Sequence, residues 1–200
     1  MSMFTQFTTN LQTYLSSNGD PTACAAYVAE QLGKLIQDST WLESCHRKGC
    51  PDEPCANLVY VEPTGLFSVV SFVWQAGQQT CIHDHICWCV VGVLEGVEKE
   101  TSFQLLRGET DDTWLEPKET IMLQPGHVCQ LVPPDNDIHQ VSNGGSETAI
   151  SIHVYGTDIG KRGTSINRRF DALPVRETQP GIPVNWRDVG AGVDTGIQLR

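Results

Sequence analysis

Two hydrophobic periods divide the chain into a helical part and a longer part of β-strands. In the first part, apolar residues recur at the spacing of one face of an α-helix. Asp20 can cap that helix and Pro21 suits its first turn, so we predict a helix from Asp20 to about Asp38. Residues 4–16 predict a shorter helix before it. The apolar stripe of the longer helix comprises Val28, Leu32, Leu35 and Ile36.

From Leu58 the hydrophobic period changes to two, as in a β-strand whose alternate side chains share a face. Turn residues separate the stretches from one another, which is typical of a sandwich or a barrel. We therefore predict an all-β fold with N-terminal α-helices. The predicted strands lie near residues 58–62, 67–74, 80–83, 86–93, 97–105, 120–124, 127–132, 138–142 and 148–155.

The length of 200 residues suits a single domain. We predict one domain over residues 1–200, made of a helical part at 1–42, a barrel at about 58–156 and a C-terminal tail at 157–200. Glycine and proline break any periodicity between residues 43 and 57, which predicts a loop. The acidic run at 109–112 predicts the solvated end of a hairpin.

The net charge of −11 argues against nucleic acid and anionic membranes as partners. It also means that an anionic substrate needs a local cation. No apolar run approaches the roughly 18 residues that a membrane span requires. The first residues, MSMFTQFTTN, lack the charged start and apolar block of a secretory signal. We therefore expect a cytoplasmic protein that acts as a monomer or a small homo-oligomer.

Eight cysteines could indicate a disulfide scaffold. In a chain of this length without a secretory signal, we expect reduced thiols instead. Cys45, Cys50 and Cys55 lie five residues apart, and His46 follows the first of them. A zinc site is one interpretation of this spacing, although it contains no Cys-x-x-Cys pair. Unpaired thiols in a surface loop are the other.

The stretch GQQTCIHDHICWCVVGVLEG, from Gly77 to Gly96, predicts a strand, a turn and a second strand. Two imidazoles that project from one strand into a barrel are a common way to hold a transition metal. A His-x-His pair alone also occurs solvated on a surface. Alternation places His83, His85, Cys87 and Cys89 on one face, and Asp84, Ile86 and Trp88 on the other.

Two segments resemble the motifs of the cupins. The first motif is matched by Gly77, His83, His85 and Gly96, with Cys89 where the usual cupin has a glutamate. The second is matched by Pro134, Asn136, His139 and Asn143. Asn136 replaces the usual glycine, and asparagine tolerates a left-handed turn better than most residues. The resemblance implies a cupin barrel of the jelly-roll type.

Within the cupins, five segments in order are similar to the thiol dioxygenases, and most to the bacterial 3-mercaptopropionate branch. The segments are FSVVSFVW, CIHDH, VVGVLEG, DIHQVSN and SISIHVYG, and the resemblance covers roughly residues 58–160. It implies an enzyme that oxidises a small thiol with O₂ to its sulfinic acid. The thiol would be 3-mercaptopropionate, cysteine or a relative. The resemblance further implies Fe(II) held by His83, His85 and His139 without a carboxylate.

Ser151, His153 and Tyr155 share a face of the last predicted strand and resemble catalytic residues of that family. In the family, a serine orients an imidazole, and the imidazole orients a phenol beside the iron. Cys89 stands where animal cysteine dioxygenases carry a cysteine bonded to the active-site tyrosine. The resemblance therefore implies a thioether between Cys89 and Tyr155. A plain core cysteine stays open as an interpretation, and Cys87 and Cys81 compete as the thiol.

The substrate-binding residues depart from the family. Where cysteine dioxygenases place an arginine and the mercaptopropionate branch a glutamine, this chain has Ala56. The mercaptopropionate branch also uses an arginine after the Tyr-Gly pair, and Arg162 and Arg168 fall near that position. Bidentate capture of a carboxylate suits arginine. We predict that one of these two binds the substrate, and we favour Arg162 because it lies closer to Tyr155.

A second class of function stays open. The same histidines could hold zinc, nickel or manganese in a cupin isomerase or a non-catalytic binding protein, because affinity order alone does not select iron. The missing glutamate and the Ser151, His153 and Tyr155 series both favour the oxygenase.

Overall fold

Two capped helices begin the chain in the computed structural model, which describes residues 1–108, 112–134 and 137–177. Helix α1 spans Met3–Leu15 and helix α2 spans Pro21–Leu35. The Asp20 side chain accepts a hydrogen bond from the backbone N–H of Ala23, as its capping position predicts. The predicted helices at 4–16 and 20–38 are therefore confirmed to within a few residues at each end.

In the described part of the chain, ten strands form two five-stranded antiparallel sheets of a cupin-type barrel. The first sheet has the order β1-β2-β9-β4-β7, and the second has the order β10-β3-β8-β5-β6. The strands are β1 (Cys55–Val61), β2 (Ser68–Trp74), β3 (His83–His85), β4 (Cys89–Glu95), β5 (Glu98–Arg107), β6 (Thr113–Leu123), β7 (Val128–Leu131), β8 (His139–Asn143), β9 (Ala149–Tyr155) and β10 (Ile166–Arg169).

Helix α2 covers the outer face of the first sheet. Leu32 and Ile36 lie against Gly92 of β4, where an added Cβ atom would come within 3.0 Å of both side chains. The glycine therefore lets the helix approach the sheet closely, and Leu32 is fully buried there. Since helices fill this side, the other face of the first sheet is left to meet the second sheet.

The end of the barrel differs from its prediction. A short helix, α3 (Ile159–Arg162), and the strand β10 follow Tyr155 in a region predicted as tail. Strand β10 pairs with β3 at the edge of the second sheet. Its sequence, INRR, has no apolar alternation, because an edge strand with three exposed residues needs none. Residues 178–200 of the predicted tail lie outside the described residues.

Other boundaries also moved. The predicted strand at 80–83 is the short β3, and residues 86–88 separate it from β4. Strand β6 starts earlier than predicted, at Thr113. The loop at 43–57 contains a 3₁₀ turn at Ser44–Arg47 and the first residues of β1. Residues 109–111 of the acidic run, and Asn136, lie outside the described residues. None of the described helices has the length and apolar character to cross a membrane.

The expectation that all cysteines are reduced is wrong for one pair. Cys50 and Cys55 form a disulfide whose Cα atoms are 5.1 Å apart. The two residues lie at either end of the Pro51–Pro54 turn, so the turn brings them together before β1 begins. Because both sulfurs are bonded to each other, the zinc site considered at Cys45, Cys50 and Cys55 does not form. Cys45 is a free, exposed thiol.

Candidate metal centre and active site

Three imidazoles converge on the inner face of the second sheet. His83 of β3 lies directly opposite His139 of β8, so the two side chains project to the same side. His85 is two residues further along β3 and therefore shares that side. One nitrogen from each ring lies within 4.8 Å of the others, and all three residues are buried. The structure thus brings together the predicted ligand set His83, His85 and His139.

Polar groups behind two of the rings fix their orientation. The Nδ1 atom of His83 lies 3.0 Å from the Cys81 carbonyl oxygen, which can only accept, so this nitrogen carries the proton. The Nδ1 atom of His139 donates to Glu100 Oε1 at 2.9 Å. Burial alone would raise the pKa of Glu100, but the contact with His139 outweighs it and holds that pKa below its usual value. The remaining nitrogen of the neutral His83 ring is left with its lone pair.

Burial also keeps the imidazoles of His83 and His85 neutral. Desolvation, reinforced by the neighbouring His139, lowers the pKa of His83 to about 4 and that of His85 to about 2. Within the described residues, the Nδ1 atom of His85 and the Nε2 atom of His139 are buried without a hydrogen-bond partner. Neutral rings with unpartnered nitrogens are the form in which histidine binds a metal.

A second series of side chains faces the imidazoles from the first sheet. Ser151, His153 and Tyr155 alternate along β9, and all three are buried. Ser151 Oγ lies 2.9 Å from His153 Nε2, and Tyr155 Oη lies 3.3 Å from His153 Nδ1. The rings of Tyr155 and His85 have centroids 6.4 Å apart. The predicted series therefore forms a hydrogen-bonded chain that ends beside the three-histidine cluster.

The electrostatics of this chain favour neutral groups. Burial lowers the pKa of His153 to about 3, and His139 and His83 add to the effect. Burial and the neighbouring Cys89 raise the pKa of Tyr155 well above its usual value. At neutral pH the series is therefore a hydroxyl, a neutral imidazole and a phenol, and it can pass or orient hydrogen bonds without carrying charge.

Cys89 is the thiol that lies beside the hydrogen-bonded series of Ser151, His153 and Tyr155. It lies directly opposite Tyr155 across β4 and β9, and its Sγ is 4.0 Å from His153 Nδ1. Burial raises its thiol pKa well above the usual value. Cys87 is only half-buried and lines a separate surface cavity with Arg162, because the chain leaves the strand at residues 86–88. The predicted alternation through Cys87 therefore does not hold.

A cavity of about 550 Å³ opens onto Tyr155 from solvent. Its wall includes Ala56, Phe72 and the Cys50–Cys55 pair. Arg169 of β10 also lines it, directly opposite His83 across the β3–β10 ladder, and therefore on the ligand side of the sheet. The cavity thus combines an aromatic wall with one basic side chain, Arg169, and one acidic side chain, Glu53.

The two predicted substrate-binding arginines lie elsewhere. Arg168 points to the opposite side of β10, where its side chain binds the buried carboxylate of Asp84 at 2.6 Å. Its backbone N–H also donates to Asp84. Arg162 is exposed at the end of α3 and lines the surface cavity beside Cys87. Neither residue borders the cavity that reaches Tyr155.

Sequence reasoning missed Glu98, Glu100 and Arg169 as parts of the site. The two glutamates are two residues apart on a predicted strand, and this spacing places them on one face. The spacing of these two glutamates on a predicted strand was therefore a signal that the sequence contained. No comparable signal exists for Arg169. The face of the sheet to which it belongs depends on the register of β10, a strand that the hydrophobic pattern does not predict.

Comparisons with known proteins complete the description of the site. A model of the family described as cysteine dioxygenase type I matches residues 52–161. A double-stranded β-helix protein from Klebsiella pneumoniae is 19% identical, with a TM-score of 0.43 over 60% of this chain and 91% of that chain. A cupin superfamily protein from Desulfitobacterium hafniense is 14% identical, with a TM-score of 0.41 over 64% and 88% of the two chains.

Proposed function

Because the chain belongs to the cysteine dioxygenase type I family, we propose that it is an Fe(II)-dependent thiol dioxygenase. It would convert a small thiol and O₂ into the sulfinic acid, with both oxygen atoms delivered to sulfur. The observation that carries the proposal is the cluster of three buried histidines, which contains no carboxylate among the described residues. The thiol would be 3-mercaptopropionate, cysteine or a close relative.

The three imidazoles fit a transition metal. Their ligand nitrogens lie within 4.8 Å of one another, and unpartnered buried nitrogens such as His139 Nε2 need a partner that the described residues do not supply. Glu100 holds His139 from behind through Nδ1. Such a carboxylate–histidine pair orients a metal-binding ring and raises its basicity. His83, His85 and His139 would therefore hold the iron.

Bound iron would supply a site for the substrate thiolate and the one-electron chemistry that O₂ requires. The chain of Ser151, His153 and Tyr155 would then orient the reactants. Tyr155 presents its phenol at the floor of the cavity, and His153 holds the phenol oxygen in place. Phe72 and Val70 give the approach to Tyr155 an apolar lining.

Arg169 is the cation best placed to hold a substrate carboxylate. It lines the cavity that reaches Tyr155 and lies on the same side of the sheet as His83. We therefore propose Arg169 in this role, ahead of Arg162 and Arg168, which were predicted from the sequence. Since Ala56 lines the same cavity without a polar side chain, the carboxylate would depend on Arg169 for its charged contact.

Cys89 and Tyr155 would form the thioether. Their opposed positions on neighbouring strands support this proposal. Because burial raises the pKa of the Cys89 thiol, the sulfur is no thiolate at neutral pH. The bond would therefore need an oxidant: the thiol and the ring carbon would each lose one hydrogen, and O₂, which the proposed activity consumes, would take up the two electrons and two protons as hydrogen peroxide.

The test is oxygen uptake by purified protein loaded with Fe(II) and supplied with 3-mercaptopropionate, cysteine or 2-mercaptoethanol, with sulfinate measured by mass spectrometry. His85→Ala should lose both iron and activity, because two imidazoles cannot hold the metal tightly. His127→Ala is the matched control, since that exposed histidine lies outside the cluster. Activity in His85→Ala, or full activity with zinc alone, would reject the proposal and leave the isomerase or binding-protein class.

A further inference from the structure

A buried carboxyl group lies behind the chain of Ser151, His153 and Tyr155. Glu98 of β5 is only 1% exposed. Its Oε2 atom is 4.0 Å from His153 Nε2 and has no hydrogen-bond partner among the described residues. The Ser151 hydroxyl acts on the same carboxyl group and lowers its pKa, against the effect of burial. Glu98 therefore contacts the end of the chain that is furthest from the three histidines.

The hydrogen bonds at Ser151 can be counted. A serine hydroxyl offers one proton and two lone pairs. Trp74 Nε1 lies 3.0 Å from Ser151 Oγ, and an indole N–H can only donate, so this bond occupies one lone pair. One proton and one lone pair remain for the two other neighbours, His153 and Glu98. Whichever neighbour receives the proton, the other must donate to the lone pair.

When Glu98 is protonated, the hydrogen bonds from Glu98 to Tyr155 are all donated in one direction. Its O–H donates to Ser151, so Ser151 must donate to His153 Nε2. The proton of the neutral ring then sits on His153 Nδ1, which faces Tyr155 Oη and Cys89 Sγ. Because Tyr155 Oη accepts that proton's hydrogen bond, its own O–H is released from His153 and can point toward the cavity, where Ser165 lies beside it.

An ionised Glu98 reverses every hydrogen bond between Glu98 and Tyr155, while Trp74 still donates to Ser151. The carboxylate accepts from Ser151, and Ser151 accepts from His153 Nε2–H. The Nδ1 atom of His153 then carries the lone pair and accepts from the Tyr155 hydroxyl. The phenol proton is now held by His153 and is no longer available to a molecule in the cavity.

We propose that Glu98 is a positioning residue whose protonation selects the tautomer of His153 and thereby whether Tyr155 donates its proton into the cavity. The proposal extends the proposed dioxygenase function, which uses the phenol, but the tautomer itself does not depend on any reaction.

The surroundings of Glu98 set the pH at which it loses its proton and the His153 tautomer changes. Burial raises the pKa of Glu98 to about 8, the hydrogen bond from Ser151 opposes the rise, and the neighbouring Glu100 adds to it. The other titratable groups that face it are Cys89 on β4, Cys129 on β7 and His153 on β9. Burial raises the pKa of both thiols and lowers that of the imidazole, so these three are neutral. The donating form of Tyr155 therefore prevails below about pH 8.

The experiment reads the tautomer directly. Full-length protein with ¹⁵N-labelled histidine, loaded with diamagnetic Zn²⁺, is titrated from pH 6 to 10, and His153 is assigned by comparison with His153→Gln. The His153 signal should change from the Nδ1–H pattern to the Nε2–H pattern with a midpoint near 8. Glu98→Gln, whose amide can donate but not ionise, should keep the Nδ1–H pattern throughout. Glu119→Gln, which removes an exposed carboxylate, should titrate like the unaltered protein.

Two further readouts separate the inference from the proposed function. If the dioxygenase proposal holds, kcat should fall as pH rises through 8, and Glu98→Gln should remove that fall. A tautomer change without any oxygen uptake would leave the inference standing and reject the function. A His153 signal that is constant between pH 6 and 10 in the unaltered protein, or an Nε2–H pattern at pH 6, would overturn the inference whatever the activity.

Discussion

Two adjacent arginines on β10 illustrate how much a single position matters at the scale of residues. Arg168 is held by the buried carboxylate of Asp84, whereas Arg169 lies opposite His83 and lines the cavity. Successive residues of a strand point to opposite faces, so one residue of register exchanges the two roles. The sequence shows a basic cluster here but no alternation that would reveal which arginine faces the three histidines.

Replacing Arg169 by alanine should raise KM for a carboxylate-bearing thiol such as 3-mercaptopropionate. A hydrogen bond to a charged group is worth about 1.5–3 kcal/mol, which corresponds to roughly 10- to 150-fold. The KM for neutral 2-mercaptoethanol should change little, because that thiol needs no cation. Steady-state oxygen uptake with both thiols measures the difference.

Two matched variants serve as controls for that measurement. Arg168→Ala removes the partner of Asp84 and should affect both thiols alike, because it acts through the sheet. Arg162→Ala alters an exposed side chain and should affect neither thiol. A selective loss for 3-mercaptopropionate in Arg162→Ala, with none in Arg169→Ala, would support the sequence-based choice instead.

At the scale of elements, the turn between β4 and β5 depends on one glycine. Gly96 has a φ of +70°, and a Cβ atom there would lie 2.7 Å from the Cα atom of Ala149 on β9. The position therefore requires both a left-handed backbone and the absence of a side chain. This requirement explains physically why the sequence shows a glycine at the end of the first cupin-like segment.

Gly96→Ala should lower the free energy of unfolding by about 2–4 kcal/mol, since backbone strain and overpacking add. Gly77→Ala is the matched control, because Gly77 has a φ of +81° but nothing within 4 Å of the added Cβ. It should cost only about 1 kcal/mol, the strain alone. Equal losses in a urea titration of the two variants would mean that the contact with Ala149 relaxes without cost.

The sequence predicts elements well where one face is buried and poorly where none is. Strands β2 and β9 are predicted almost to the residue, because their apolar residues form a run or alternate clearly. Strand β10 is missed, since a sheet edge with exposed polar residues has no hydrophobic signal. Likewise, His83, His85 and His139 are found by motif, whereas Glu98 and Arg169 enter the site through strand pairings that motifs do not specify.

At the scale of the whole molecule, the cysteines fall into distinct chemical groups. Cys50 and Cys55 are bonded to each other, and six other cysteines are free thiols. Cys24 and Cys89 are buried, whereas Cys45 is exposed. Disulfide formation between the first pair depends on the turn that joins them, and that contact is invisible to an argument based on cellular compartment.

Alkylation of the denatured protein should count its free and its bonded cysteines. Without reductant, six cysteines should be modified, and with reductant all eight. If the Cys89–Tyr155 thioether forms, the count in each case is one lower, whereas Cys89→Ala with reductant should show every one of its remaining cysteines modified. Intact-mass spectrometry before and after turnover measures both effects. Eight modified cysteines without reductant would rule out the disulfide, and eight after turnover and reduction would rule out the thioether.

The late position of β10 also governs the order in which a growing chain acquires its parts. All three imidazoles, and the Ser151–His153–Tyr155 chain, have been synthesised by the time Tyr155 is added. Strand β3 then still lacks the neighbour on its outer side, and Arg169 does not yet exist. Since a domain folds as a unit, the second sheet of the nascent protein is completed only after β10 has been made, although all three imidazoles precede it in the sequence.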